Sequence, residues 1–406
     1  MNKMKAGNIV MKDVEIMNVY TQVALMFISV ALFARIAEKT KSFYPPFYIF
    51  AGILVGPPIL NLVVNEEVVG LFSEIGVVFL LFYLGFEFSI HTLFEKKKTL
   101  LVAGAIDFLV NFGIGFFLGQ LMGLDLYYSF VIAGIIYMSS SGIITKTLIQ
   151  LNAVKDPEGE LIMGIMVFED LVMVLYLVLL SALTVQENGF DYVSLGMDLG
   201  IAVMFCVLLV VIGVKFHTHI DRLLHSKTKE ITLLSFLGLV FMVTAVGVQL
   251  GVSEALGAFF LGIAVSQGKS KEKVERTALK FRDIFGSLFF FYFGMQLELE
   301  GLGEYAVWVV IAVIIAALGK LVGGQLIRKA LGCSKDKGVF IGLVTVSRGE
   351  FSLLIAGIVG SGSFPFQSFS VVLIIGTALI STIGFRILNV LCNRKNICLL
   401  MEKPMD

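Results

Sequence analysis

Thirteen apolar segments, separated by short polar breaks, constrain the fold of this chain more than any other feature. Each has about 15 to 25 residues, enough for a helix to cross the hydrocarbon core of a bilayer. Since 57 % of the residues are hydrophobic, 15 % are charged and the mean hydropathy is +0.93, an ordinary soluble domain is excluded. The sequence predicts an all-α polytopic membrane protein. The predicted spans are 18–36, 43–61, 68–88, 99–122, 126–149, 160–184, 193–214, 231–250, 253–267, 283–298, 304–327, 338–360 and 366–388.

The basic residues predict how these spans are oriented. Of the 31 Lys and Arg residues, 26 lie in the regions that follow odd-numbered spans, and none lies in a loop that follows an even-numbered span. Because basic loops stay in the cytoplasm, we expect a cytoplasmic C-terminus and, with an odd number of spans, an N-terminus outside the cell membrane. Lys3, Lys5 and Lys12 run against this rule at the N-terminal end. The predicted organisation is an N-terminal segment 1–17, a transmembrane domain 18–390 and a short cytoplasmic tail 391–406.

The two halves of the chain resemble each other. SEIGVVFLLFYLGFEF (73–88) aligns with RDIFGSLFFFYFGMQL (282–297) at an offset of 209 residues, which places Glu74 opposite Asp283. Spans 2 and 9, and spans 5 and 12, align at nearly the same offset. Seven helices separate the copies, and an odd number reverses their orientation. We therefore predict inverted-topology repeats over 18–184 and 231–388, joined by a linker helix over 193–214.

Breaks in the membrane helices must come from Gly and Ser, because none of the seven prolines lies in the middle of a span. Two corresponding places offer such breaks: Ser139, Ser140, Ser141 and Gly142, followed by Thr145, in span 5, and Ser347, Arg348, Gly349 and Glu350 in span 12. Interrupted helices at matching positions of inverted repeats point to a transporter's binding site. Arg348 suits the partial negative charge at half-helix C-termini, and Glu350 suits the positive N-termini. Close packing of small residues is the alternative, but it leaves Arg348 and Glu350 unexplained.

Two adjacent acids, Glu169 and Asp170, lie near the middle of span 6. A charge at the centre of a membrane helix costs roughly 2.5 to 3.5 kcal/mol on insertion scales, so such residues usually face a cavity and mark an ion path. Neighbouring side chains point about 100° apart, so the two acids have different tasks. We expect Glu169 to pair with Lys320 in span 11, and Asp170 to bind a cation and a proton in competition.

Structural interpretations of these charges stay open. The Glu169–Lys320 pair could serve only to lock two helices, and Asp170 could also be structural. Asp107, within span 4, fits a hydrogen bond to Asn111 one turn on as well as a role in ion access. Glu74 and Asp283 are expected nearer helix ends, where they either line access funnels or cap helices.

The chain resembles the monovalent cation:proton antiporter-2 family, most closely its potassium branch, over about residues 18–390. The motifs that carry the resemblance are GVVFLLFYLGFEF, SSSGIITKTL, FEDLVMVLYL, FGSLFFFYFGM and VSRGEF. The resemblance implies a homodimer with a sodium/proton antiporter-like fold, in which a core built around crossed interrupted spans 5 and 12 moves like an elevator. It also implies that Asp170 binds cation and proton. Glu169 holds the preceding position, where relatives carry Asp, Gln or Asn, and Lys320 is the lysine of span 11.

The expected function is exchange of a monovalent cation, K⁺ in preference to Na⁺, for H⁺, without a cofactor and without enzyme activity. Na⁺/H⁺ exchange is the first alternative and a gated cation channel is the second. Expected partners are membrane lipid, a second copy of the chain and a separate cytoplasmic nucleotide-binding regulatory subunit, because only about 18 residues follow span 13; nucleic acid is not expected. The basic stretch 268–282 is predicted to be a cytoplasmic loop that contacts anionic lipid or that subunit.

Overall fold

A computed structural model describes most of the membrane part of the chain. The described residues are 18–40, 42–87, 97–151, 153, 156–184, 228–250, 252, 254–266, 271–297, 302–359 and 364–395, with parts of 197–215 and residue 224. The helices within these ranges are α1 Val19–Lys39, α2 Tyr44–Val55, α3 Glu66–Glu87, α4 Lys97–Leu121, α5 Leu126–Tyr137, α6 Ser141–Gln150, α7 Pro157–Thr184, α8 Val203–Gly213, α9 Lys229–Gln249, α10 Glu254–Ser266, α11 Lys271–Met295, α12 Leu302–Leu331, α13 Lys335–Val344, α14 Glu350–Val359 and α15 Phe366–Lys395.

Each of the thirteen predicted spans corresponds to one or two of these helices. Seven helices in the described part are long and apolar enough to cross a membrane, namely α1, α3, α4, α7, α9, α12 and α15. Shorter apolar helices, α2, α5, α8, α10 and α14, account for most of the remaining spans. The described residues form no strand, so the predicted all-α polytopic class is confirmed. The domain limits stay a prediction, because 1–17 and 396–406 lie outside the described residues and 193–214 is described only in part.

Spans 5 and 12 are interrupted and cross each other, as predicted. Span 5 consists of α5 and α6 with a break at 138–140, and span 12 consists of α13 and α14 with a break at 345–349. At the crossing, the backbone N–H of Ser140 donates to the carbonyl oxygen of Ser347 at 2.8 Å. A Cβ added to Gly349 would lie 2.5 Å from Ser140 Oγ, so a residue with a side chain does not fit there. Ser141 and Glu350, predicted within the breaks, instead begin α6 and α14.

The inverted repeat is visible in four glycines at helix crossings. A Cβ on Gly52 of α2 would overlap the carbonyl oxygen of Phe291 in α11, and a Cβ on Gly294 of α11 would overlap that of Ile49 in α2. The same arrangement recurs where α3 crosses α10. There, a Cβ on Gly85 would overlap the carbonyl of Phe259, and one on Gly262 that of Phe82. In both crossings the backbones touch without intervening side chains, which is how small residues stabilise helix pairs in membranes.

The helices form two packed groups. One contains α1, α2, α3, α9, α10 and α11, with α3 packed against both α10 and α11. The other contains α4 to α7 and α12 to α15, with α4 packed against α5, α7 and α12. Smaller contacts join the groups, between α15 and both α2 and α11, and between α10 and α7. We refer to these as the first and the second helix group.

The start of α11 corrects two expectations. The stretch 271–282, predicted as part of a loop, is helical, and Asp283 therefore lies in the middle of α11 rather than near an end. Alternating Lys, Glu and Arg residues are good helix formers, although they are too polar to be counted as part of a membrane span. Lys273 donates from Nζ to Thr232 Oγ1 at 2.9 Å, which attaches this polar end of the helix to the first turn of α9.

Gly52→Ala is expected to lower the melting temperature of the protein in detergent, because the new methyl group must push α2 away from α11. Overpacking of this kind typically costs about 1 to 3 kcal/mol. Gly238→Ala in α9 is the matched control, since a Cβ there meets nothing within 4 Å. Alanine favours a helix over glycine, so the control is expected to leave the melting temperature unchanged or raised. Equal shifts in the two variants would contradict the packing described here.

Candidate ion and proton site

A buried lysine lies between two buried carboxylates in the second helix group. Lys320 Nζ of α12 is 2.7 Å from Glu169 Oε1 of α7, and 3.0 and 2.8 Å from Asp107 Oδ1 and Oδ2 of α4. The exposed fraction is 1 % for Lys320 and 3 % for each acid. The structure thus brings together the predicted pair, Glu169 and Lys320, and adds Asp107 as a second partner. Removing one member of a buried ion pair typically costs 3 to 5 kcal/mol, because the charge left behind is uncompensated.

Gly319 on α12 leaves room for Asn111, the α4 side chain that accompanies Asp107. Asn111 donates from Nδ2 to Asp107 Oδ1 at 3.0 Å and to the Asp107 carbonyl at 2.9 Å. A Cβ on Gly319 would lie 2.8 Å from Asn111 Oδ1. The predicted Asp107–Asn111 hydrogen bond is therefore present together with the ion pair.

Glu169 is fixed to the break in span 5. Its carboxylate accepts hydrogen bonds from the Ser139 backbone N–H at 2.8 Å and from Ser139 Oγ at 2.9 Å. On the other side of the lysine, Nζ of Lys320 lies 5.5 Å from the centre of the Tyr137 ring, which is within range of a cation–π contact. The ion cluster and the interrupted helix are thus one structure.

Arg348 is fully buried and donates to carbonyl groups left open by both breaks. Its Nε lies 2.6 Å from the Ile136 oxygen in the last turn of α5. Its Nη1 lies 2.7 and 3.2 Å from the oxygens of Val346 and Thr345, just after α13, and Nη2 lies 3.4 Å from that of Ala316 in α12. The last carbonyls of a helix have no partner within it and carry partial negative charge, so the guanidinium satisfies both needs.

Glu350 serves the opposite ends of the half-helices. It is the first residue of α14, and its carboxylate accepts from Ser140 Oγ at 3.2 Å and from Ser141 Oγ at 3.3 Å. Ser141 is the first residue of α6, so one carboxylate lies at the N-termini of two half-helices, where negative charge is favourable.

The other predicted site residues lie around this crossing. Asp170 is half-buried, whereas the adjacent Glu169 is buried, so the two side chains meet different surroundings. Ser347 is fully buried within the break. Thr145 is half-buried on α6 with its Oγ1 3.9 Å from Met163 Sδ. The side-chain surroundings of position 142 lie outside the described residues.

Comparison with known proteins identifies the family. Residues 26–390 match the family described as 'Sodium/hydrogen exchanger, transmembrane'. The chain belongs to this family. It is 34 % identical over 372 residues to the K(+)/H(+) antiporter subunit KhtU of Bacillus subtilis (strain 168), which covers 88 % of this chain and 91 % of that protein. The predicted resemblance to the cation:proton antiporters is thereby confirmed.

Other exchanger-family relatives carry different ions in their names. The chain is 31 % identical to the Ammonium/H(+) antiporter subunit AmhT of Alkalihalophilus pseudofirmus over 86 % of this chain and 87 % of that protein. It is 28 % identical to the Na(+)/H(+)-K(+) antiporter GerN of Bacillus cereus over 88 % and 92 %. The structure of the sodium proton antiporter MjNhaP1 from Methanocaldococcus jannaschii matches with a TM-score of 0.68 at 17 % identity, covering 95 % of this chain and 99 % of that one. At that identity the likeness shows the fold alone, and it confirms the antiporter-like fold.

Arg348→Lys is expected to lower the melting temperature strongly, although it keeps the charge. A lysine ammonium is a point donor and does not reproduce a planar fork that reaches α5, α12 and the break after α13. Each buried carbonyl left without a donor costs about 1 to 3 kcal/mol.

The control for this variant is Arg328→Lys, at the half-buried end of α12, where Nε makes a hydrogen bond to Gln325 at 2.6 Å. Thermal unfolding followed by loss of the monodisperse peak in size-exclusion chromatography measures both variants. Equal stability of the two would contradict the role given to the Arg348 fork.

Proposed function

We propose that the protein exchanges a monovalent cation, K⁺ in preference to Na⁺, for H⁺ across the cell membrane, and that Asp170 binds the cation and the proton in turn. Membership of a family of cation/proton antiporters supports the exchange itself. The preference for K⁺ is supported by the 34 % identity to a protein named a K(+)/H(+) antiporter subunit. Glu169 and Lys320 would hold the neighbouring part of the site in place.

The charge balance of the second helix group carries the proposal. At the crossing, the buried residues Asp107, Glu169, Lys320 and Arg348 are two acids and two bases. The half-buried Glu350 adds a negative charge at the N-termini of α6 and α14. The half-buried Asp170 adds a further negative charge, so the acids outnumber the bases. Excess charge inside a bilayer is costly, and either a bound cation or a proton reduces it. Binding of one therefore disfavours binding of the other, which is the condition for coupled exchange.

The grouping of the helices supports an elevator-type movement. All the charged residues proposed for the site belong to the second helix group, so the site is able to move as one body. They are Asp107, Glu169, Asp170, Lys320 and Arg348. The contacts that join this group to the first are small compared with those inside each group. Alternating access by movement of one bundle against another around a fixed site is the common mechanism of transporters built from inverted repeats.

The proposal includes orientation and partners. The distribution of Lys and Arg supports a cytoplasmic C-terminus and an N-terminus outside the cell. Two of the relatives are named antiporter subunits, which supports a separate partner chain, proposed here as a nucleotide-binding regulatory subunit. A homodimer in membrane lipid is the proposed assembly.

Na⁺/H⁺ exchange by the same mechanism is the second candidate. It is favoured by the 28 % identity to GerN, whose name includes both Na⁺ and K⁺. The similarity to AmhT adds ammonium to the ions that must be compared.

Asp170→Asn is expected to abolish exchange while leaving the fold intact. The protein is reconstituted in liposomes with a trapped pH dye and an acid interior, and external K⁺, Na⁺, NH₄⁺ or choline is added with the membrane potential clamped. Wild type is expected to release protons in response to K⁺ more than to Na⁺, and Asp170→Asn is expected to match protein-free liposomes. Asp125→Asn is the matched control, because Asp125 caps α5 through a 2.8 Å hydrogen bond from the Tyr128 N–H and asparagine caps equally well.

Three outcomes would overturn the proposal. Exchange that survives in Asp170→Asn would show that another carboxylate binds the ion. Cation currents that do not depend on the proton gradient would identify a channel. The third outcome is folded wild-type protein that responds to none of the salts, either alone or with a candidate regulatory subunit added.

A further inference from the structure

Asp107 binds Lys320 more extensively than the predicted partner does. Both carboxylate oxygens of Asp107 lie within 3.0 Å of the ammonium, whereas Glu169 offers Oε1 at 2.7 Å and gives its remaining capacity to Ser139. Asp107 is contributed by α4, so the ammonium is held from two sides by two different helices. Its position is itself fixed, because Asn111 donates to it at 3.0 Å and Gly319 leaves space for the Asn111 side chain.

The charge of Asp107 compensates that of Lys320. Without it, Glu169 alone would oppose the ammonium, and the cluster beside Asp170 would become more positive by one charge. The Tyr137 ring, whose centre lies 5.5 Å from Nζ, carries no formal charge. A more positive cluster beside Asp170 would attract an incoming monovalent cation less strongly, since charges in the protein interior are weakly screened.

We infer that Asp107 is a positioning residue for the transported cation: by holding Lys320 and offsetting its charge, it keeps the electrostatic potential at Asp170 favourable to the ion. This inference rests on the proposed function. Asp107 does not itself contact the cation. It acts through Lys320, and its effect appears in the apparent KM for the cation rather than in the maximal rate of exchange.

The test measures the apparent KM for K⁺ in the liposome assay for Asp107→Asn and for Asp107→Asn combined with Lys320→Gln. The single variant makes the buried cluster more positive by one charge and is expected to raise KM by roughly tenfold, about 1.4 kcal/mol in binding. The double variant restores the net charge of the wild type and is expected to return KM to within about threefold of wild type. A purely structural role for Asp107 predicts instead a lower yield and melting temperature with unchanged KM.

A second variant, Asn111→Asp, extends the test by adding a negative charge instead of removing one. It adds a buried carboxylate one turn from Asp107 and is expected to lower KM, and it keeps the inference testable if Asp107→Asn does not fold. An unchanged KM in Asp107→Asn, a double variant worse than the single, or a raised KM in Asn111→Asp would each overturn the inference. None of these results would affect the proposed exchange, which is tested separately by wild type and Asp170→Asn in the same assay.

Discussion

Backbone groups that lack hydrogen-bond partners inside a bilayer cost several kcal/mol each, and this constraint governs the centre of the molecule. Two interrupted helices cross there, and each interruption opens carbonyl and amide groups that water cannot reach. Two side chains of span 12 donate to such carbonyls: Arg348 to that of Ile136 at 2.6 Å, and Ser352 to that of Ile135 at 2.8 Å. Ser140 and Ser347 pair directly across the crossing. The breaks are stable because each supplies partners to the other.

The ion cluster is built on this crossing rather than beside it. Ser139, within the break of span 5, gives both its N–H and its hydroxyl to Glu169, and Glu169 in turn binds Lys320. The backbone break and the charges are therefore coupled, because a shift of one half-helix would disturb a hydrogen bond to the carboxylate. In such an arrangement, the proposed occupation of Asp170 next to Glu169 would influence the position of the whole crossing.

Sequence alone predicted the all-α polytopic class and the inverted repeat. It also predicted the Glu169–Lys320 contact, because few charged residues occur within the spans and few pairings are open to them. The contact between Asp107 and Lys320 was missed, because hydropathy gives the depth of a residue but not the helix face it occupies. The start of α11 was missed for a related reason, since a polar helix and a polar loop look alike on a hydropathy scale. The preference for K⁺ was predicted from the family resemblance alone, because backbone carbonyls that contact an ion leave no mark in the side chains.

The glycine contacts of the first helix group have an evolutionary consequence. Gly52 and Gly294 depend on each other's helix for space, and Gly85 and Gly262 form the equivalent contact in the inverted copy. A larger residue at any one of them would tilt one crossing but not its counterpart, and the two halves of the frame would lose their symmetry. The two repeats are therefore not free to diverge independently at these four positions.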